Sequence, residues 1–247
     1  MRGIALATIP TLRYLYKNKT LKQAAKEAQR FSYRAELLDR VSLFQGDITK
    51  LEVDAIVNAA NRSLLGGGGV DGAIHNAAGR GLLRECSSLG GADTGQAKIT
   101  GGYDLPAKHV IHAVGPVYSG SHKDIKAAQL SACYSNSLSL ALENKLKSIA
   151  FCSISTGIYG YPIVDATEVA LETTRTFLDQ NESAKDIDRV IFVVWSDKDK
   201  HVYEHLLPQF FPQETTETES KAEKAPQEAE PPEKSKPEQP TDAKPTE

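Results

Sequence analysis

Four consecutive glycines, Gly66–Gly69, lie inside this chain of 247 residues, and they restrict its fold more than any other feature. Glycine loses more backbone freedom on folding than any other residue, so a glycine run within a folded domain costs stability. Twelve of the eighteen glycines fall between Gly66 and Gly102, so the cost is concentrated in one region. Two readings are open: a long flexible loop, or a loop whose backbone must approach a ligand closely. The next residues, Val70-Asp71-Gly72-Ala73-Ile74-His75-Asn76-Ala77-Ala78, start a helical pattern directly after the glycines. Such a loop delivers the free N–H groups of a helix N-terminus to whatever sits there, which favours an anionic ligand, a phosphate above all.

The kind of phosphate loop can be narrowed. A nucleotide-hydrolysing P-loop needs Lys-Ser/Thr after its last glycine, whereas Gly72 is followed by Ala73-Ile74. Gly67-x-Gly69-x-x-Gly72 matches the dinucleotide pattern formally. That pattern should follow a strand at once, yet Ala59–Leu65 intervenes, and Asp71 inside it would repel a pyrophosphate unless aimed elsewhere. Ahead of the loop, Ala55-Ile56-Val57-Asn58-Ala59-Ala60-Asn61 places two carboxamides at the end of a buried strand. A carboxamide both donates and accepts, which suits ribose hydroxyls, although asparagine is also an ordinary turn residue. A second glycine-containing loop, Ser155-Thr156-Gly157-Ile158-Tyr159-Gly160, follows another buried strand and leads into a helix. Two such loops can clamp one diphosphate at the carboxyl edge of an open α/β sheet.

The remaining pattern alternates between strand and helix. Strands are predicted at Val41–Gln45, Ala55–Asn58, Lys98–Thr100, His109–Val114, Ser148–Ile154 and Arg189–Trp195. Helices are predicted at Val70–Ala78, Leu82–Leu89, Ile125–Asn144, Asp165–Gln180 and Lys200–Leu207. Long helices between nearly continuous apolar strands imply parallel pairing through crossovers. The expected fold class is therefore α/β, a three-layer α/β/α sandwich around a mixed, mostly parallel sheet, spanning 41–212. Ahead of it, residues 1–40 carry nine Lys/Arg against three Asp/Glu and read as a basic helical extension, with its helix over Lys17–Phe31. Behind it, 213–247 carries ten acids, five bases and six prolines without Ile, Leu, Val or an aromatic, and reads as a disordered acidic tail. No stretch approaches the ~18 apolar residues of a membrane-spanning helix. Three cysteines, Cys86, Cys133 and Cys152, are too few and too scattered for a disulfide framework and favour a reducing compartment.

Gly46-Asp47-Ile48-Thr49, Asn58-Ala59-Ala60-Asn61, Gly66–Gly72 and Ser155–Gly160 stand in the order and spacing of a macrodomain. The stretch Val57–Gly72, with Ala97–Lys108 and His112-Ala113-Val114-Gly115-Pro116, resembles the MacroD-type subgroup, and it departs at Asn76 and Cys152-Ser153. The resemblance implies ADP-ribose binding, removal of mono-ADP-ribose from acidic protein side chains, and deacetylation of O-acetyl-ADP-ribose. It implies that Asp47, with the Ile48 amide beside it, receives adenine and that Asn61 holds the distal ribose. Asp71 then stands at the catalytic aspartate position and Tyr159 packs on the distal ribose. By the same resemblance Gly68, Gly69 and Val70 line one phosphate loop, and Ser155, Thr156, Gly157 and Ile158 line the other. Asn58, Gly72 and Gly160 complete the ligand-binding candidates. Trp195, ending the last buried strand, is the candidate to stack on adenine, against the reading of a partly buried core residue.

Hydrolysis of a ribosyl ester needs a positioned water and a proton acceptor, for which Asp71 and the substrate's own phosphate compete. No cofactor is expected, and no metal: His109 and His112 show no ligand spacing, and His75 has no carboxylate four residues after it. A non-catalytic reader of ADP-ribose and an ADP-ribose 1″-phosphate phosphatase are the alternatives. The expected partners are ADP-ribose and mono-ADP-ribosylated proteins, with no nucleic acid or membrane and the chain a monomer. The expected setting is nucleus and cytoplasm, within the DNA damage response, with mitochondrial targeting by the basic N-terminus as the alternative.

Overall fold

Every side chain of Ser148–Cys152 is buried, and so are five of six in both His109–Val114 and Arg189–Val194, as in strands covered on both faces. These segments form the centre of the computed structural model, which describes residues 3–214. In chain order the strands are β1 (Ile4–Ala5), β2 (Val41–Gln45), β3 (Leu51–Glu52), β4 (Ala55–Ala60), β5 (Ala97–Gly101), β6 (His109–Val114), β7 (Ser148–Cys152) and β8 (Arg189–Val194). The helices are α1 (Leu12–Lys17), α2 (Leu37–Arg40), α3 (Gly69–Ala78), α4 (Arg80–Ser88), α5 (Lys123–Glu143), α6 (Ile163–Gln180) and α7 (Asp197–Phe210). Six strands make one sheet in the order β2-β8-β7-β4-β6-β5, while β1 and β3 form a small parallel pair. The five strands from β2 to β6 in that order run parallel, and β5 alone is antiparallel, at the edge. With helices flanking it, the sheet is the centre of a three-layer α/β/α sandwich.

This topology positions the site. Because β2, β4, β6, β7 and β8 point the same way, the residues that follow them share one rim: Gly46-Asp47, Asn61, Gly115, Ser153–Ser155 and Trp195. Both glycine loops therefore leave the sheet at its carboxyl edge.

The N-terminal region differs from its expected form. No helix covers Lys17–Phe31; α1 ends at Lys17, Asn18 caps it, and Lys19 turns the chain at φ 59°. A single 3₁₀ turn at Lys26–Ala28 follows. Leu21, Ala24, Ala25 and Ala28 share helical spacing there, but only Leu21 is buried and Ala25 and Ala28 are exposed, so a face built from alanines has too little apolar area to hold a helix against the core. The helix forms earlier, where Thr11 accepts from the Tyr14 amide and Leu12, Leu15 and Tyr16 are buried. The acidic tail expected at 213–247 lies, from Thr215 onward, outside the described residues.

Arg175, on α6, ties this region down. It is 1% exposed, donates to the Phe210 carbonyl, to the Ser32 carbonyl at 2.6 Å and to Asp179 Oδ2 at 2.8 Å, and lies over the Phe31 ring. Arg175→Ala strands two carbonyls and a carboxylate together, and should lower stability by about 3 kcal/mol, read as a lower urea midpoint.

Candidate active site

The chain leaves β4 through Asn61, whose carboxamide shapes the first loop. Its Oδ1 accepts from the Ser63 amide at 2.9 Å and hydroxyl at 2.6 Å, and its Nδ2 donates to the Gly66 carbonyl at 2.7 Å. Helix α3 then begins with Gly68 as a cap that offers no side chain. The amides of Gly68, Gly69 and Val70 find no partner among the described residues, so the positive end of the helix is left open. Two glycines are required by close approach. A Cβ on Gly72 would stand 2.5 Å from the Gly67 carbonyl oxygen, and one on Gly67 would stand 3.1 Å from Asp71 Oδ2.

The second loop faces the first. Ser155 adopts φ 67°, a left-handed conformation that costs a non-glycine residue energy and often marks a functional site. Its Oγ is buried without a partner, held where a Cβ on Gly115 would stand 2.1 Å away. Tyr118 N donates to the Tyr159 carbonyl at 2.9 Å and Tyr161 N to the Ser155 carbonyl at 3.0 Å. The amides of Gly157, Ile158 and Tyr159 remain unbonded among the described residues. The loops nearly touch, since a Cβ on Gly68 would lie 3.2 Å from Ile158 Cδ1.

Between them runs a cleft of about 880 Å³, whose walls carry Asp47, Ile48, Asn61, Gly68, Gly69, Val70, Asp71, Ser155, Thr156, Gly157, Ile158, Tyr159, Gly160 and Trp195. Trp195 is 76% exposed, so it is an open aromatic face at the cleft and not a core residue. Asp47 caps the turn Ile48–Lys50 with Oδ1, accepting from the Thr49 amide and hydroxyl at 2.9 and 2.7 Å. Gly115, Tyr161, Lys198 and Asp199, none of them a ligand candidate from the sequence, also line the cleft. The Gly-Pro pair after β6 was the available signal for Gly115; nothing marked the other three. Lys198 is the one cationic side chain on these walls among the described residues, so backbone amides supply most of the positive potential.

Two expected ligand residues are not on the walls. Gly72 faces the Gly67 carbonyl, so its smallness serves loop–helix packing. Asn58 is fully buried behind Asp71 and donates Nδ2 to Asp71 Oδ1 at 2.8 Å. A side chain on a central strand points to one face or the other, and only tertiary packing decides which face meets the cleft.

Asp71, in the first turn of α3, is 4% exposed. His75 follows one turn later with Nε2 3.6 Å from Asp71 Oδ1, so the carboxylate absent four residues after His75 stands four residues before it. Nor are the histidines scattered. His112 Nδ1 lies 3.1 Å from Asn58 Nδ2, and its Nε2 lies 3.0 Å from Thr100 Oγ1 and 3.5 Å from Cys86 Sγ. Cys86 is buried and its thiol is pushed up to about 11 by desolvation, which suits a structural thiol and not a nucleophile. Another groove of about 820 Å³, between α5 and α6, is lined by Glu172 and Glu182 together with Ser131, Ser135, Phe177 and Gln180.

The family model described as Macro domain matches residues 57–170. ADP-ribose glycohydrolase MACROD1 of Rattus norvegicus is 53% identical over 196 residues, covering 78% of this chain and 75% of that protein. The chain belongs to the macrodomain family. MACROD2 of Xenopus laevis, named with the same activity, is 51% identical over 211 residues, 85% of this macrodomain chain. The chain spans 50% of that relative's length. A solved Trypanosoma brucei macrodomain in complex with ADP-ribose is similar at TM-score 0.69 and 40% identity, covering 84% of this chain and 78% of its own.

Within this macrodomain, burial raises the Asp71 pKa, and the Asn58 hydrogen bond and the nearby His75 only partly oppose it. A carboxyl raised above its unfolded value of 3.8 stabilises the fold fully below that value and loses the contribution as pH rises through the folded one. Asp71→Asn, which keeps an acceptor for Asn58, should therefore raise the thermal midpoint at neutral pH. The advantage should shrink on acidification toward the ordinary carboxyl range; calorimetric melts across that range check it.

Proposed function

We propose that this macrodomain binds ADP-ribose along the cleft and hydrolyses the ester joining mono-ADP-ribose to acidic protein side chains, with O-acetyl-ADP-ribose as a further substrate. The observation that carries this reading is a buried carboxylate, Asp71, on the wall of a cleft that two loops of unbonded amides also line. The amides suit a diphosphate, and a cleft of about 880 Å³ is in the size range of small-molecule sites. The names of the MACROD1 and MACROD2 relatives and the ligand of the trypanosomal structure support the same assignment.

Adenine lies at the end of the cleft that holds Asp47 and Trp195, and the distal ribose lies at the end that holds Asn61, Tyr159 and Asp71. With Oδ1 held by Asn58, Asp71 has Oδ2 available to orient water against the ester and accept its proton, the substrate phosphate being the competing acceptor. Burial makes the carboxylate a stronger base than a solvated one, and a positioned base contributes ~10²–10⁴-fold. Asn61 acts partly through the loop, since its carboxamide is spent on Ser63 and Gly66.

The same reading places the protein in the reducing nucleus and cytoplasm, which its three free thiols support. It acts there as a monomer without nucleic acid. Arg13 pairs with Asp39, Arg30 with Glu168, and Arg34 with Glu36 and Asp179, so three of the nine basic residues of the N-terminal region are already matched by acids.

Release of label from an auto-mono-ADP-ribosylated acceptor linked through acidic residues tests the activity. Asp71→Ala and Asn61→Ala should each slow release by at least about tenfold, with ADP-ribose affinity by calorimetry within a few-fold. Unchanged turnover in both variants, or no release by the wild type, overturns the hydrolase. Trp195→Ala should weaken ADP-ribose binding by roughly tenfold, the scale of a lost base–aromatic stack; unchanged affinity removes Trp195 from the adenine site.

A further inference from the structure

Beneath Asp71, the network that supports it contains soft ligands from three elements. His75 from α3, Cys86 from α4 and His112 from β6 bring one ligand atom each to within 4.8 Å of one another. A zinc ion, with ~2.0 Å bonds to nitrogen and ~2.3 Å bonds to sulfur, sets tetrahedral N···S edges of about 3.5 Å. Cys86 Sγ and His112 Nε2 are 3.5 Å apart. A purely structural hydrogen-bond network should leave no member unpaired, yet His75 Nε2 is buried without a hydrogen bond, Asp71 Oδ1 standing beyond bonding distance at 3.6 Å. Two imidazoles and a thiolate suit a borderline-soft divalent ion and disfavour magnesium or calcium.

We propose that His75, Cys86 and His112 form a binding site for a zinc-like divalent ion directly under Asp71, and that filling it switches off hydrolysis. The ion replaces the thiol proton of Cys86, which leaves to solvent. His112 Nδ1 accepts from Asn58 Nδ2, so the ring proton sits on Nε2 and faces Thr100 Oγ1. Coordination through Nε2 moves that proton to Nδ1, where it meets the Asn58 donor head-on. Asn58 Oδ1 is a buried oxygen without a partner, so turning the carboxamide satisfies the new Nδ1–H. The turn withdraws Nδ2 from Asp71 and presents an oxygen to its carboxylate. The ion thus acts through Asn58, a positioning residue, and not by contact with substrate. Access lies past the glycine loop, since a Cβ on Gly66 would stand 3.3 Å from the His75 ring.

The inhibition, unlike the binding, rests on the hydrolase reading, so the experiment separates the two. The metal-free full chain is titrated with cobalt(II), followed by thiolate-to-cobalt absorption and then by displacement with zinc. One equivalent should develop the band. Cys86→Ser should abolish it, Cys133→Ser and Cys152→Ser should retain it, and His75→Ala should weaken cobalt binding by at least about tenfold, the usual loss on removing a metal-site group. No band, a band that survives Cys86→Ser, or one that develops only as the cooperative melt is lost overturns the site. Zinc should slow label release at least about tenfold, the low end of a positioned base's contribution, with ADP-ribose affinity within a few-fold. Cys86→Ser should be insensitive relative to its own metal-free rate. Cobalt binding with release unchanged overturns the switch.

Discussion

Asp71 carries a carboxylate into a position 4% exposed, and Asn58 Nδ2, donating to it at 2.8 Å, is the bond that makes this burial tolerable. Removing a carboxylate from water without such a donor costs several kcal/mol. Burial outweighs that bond in setting the pKa, which lies above the ordinary range, and this tension defines the site. The carboxylate is held by one oxygen from within the core and left with proton-accepting capacity at the other. The glycines follow from the same constraint, because a Cβ at Gly67 would press on Asp71 Oδ2 and one at Gly72 would push the helix from its loop.

The electropositive side of the cleft is built from backbone. An uncapped helix start and the loop from Ser155 to Gly160 present unbonded amides toward each other, while cationic side chains are scarce on the walls. Amides fixed by a fold need no reorganisation when a phosphate arrives, whereas lysines must be ordered at an entropic cost. Left-handed Ser155 and its orphaned hydroxyl belong to this arrangement: strain and an unmet hydrogen bond are held together on the cleft wall. The parallel sheet is what brings the parts together, since strands that run one way deliver the residues after them to one rim.

Much of this was legible beforehand, for reasons that differ by element. Strands such as Ser148–Cys152 and His109–Val114 were readable because burial on both faces demands unbroken apolar runs. The open helix start was readable because four glycines before a helical pattern leave few other uses for the backbone. The N-terminal helix was misplaced because spacing alone cannot show whether alanines find a surface large enough to cover; the chain used Leu12, Leu15 and Tyr16 in its place. The residue type of Asn58 suits a ribose, but strand pleating turns it inward to Asp71.

The linear order of residues by itself determined the α/β class, the two glycine loops and the single acid at the head of a helix, because periodicity and glycine placement act over a few neighbouring residues. Only the tertiary structure decided which groups meet across long separations. It put Asn58 behind Asp71, opened Trp195 to solvent, and gathered His75, Cys86 and His112 under one carboxylate. Those juxtapositions depend on strand order and on which face each side chain takes, and local spacing carries no record of either.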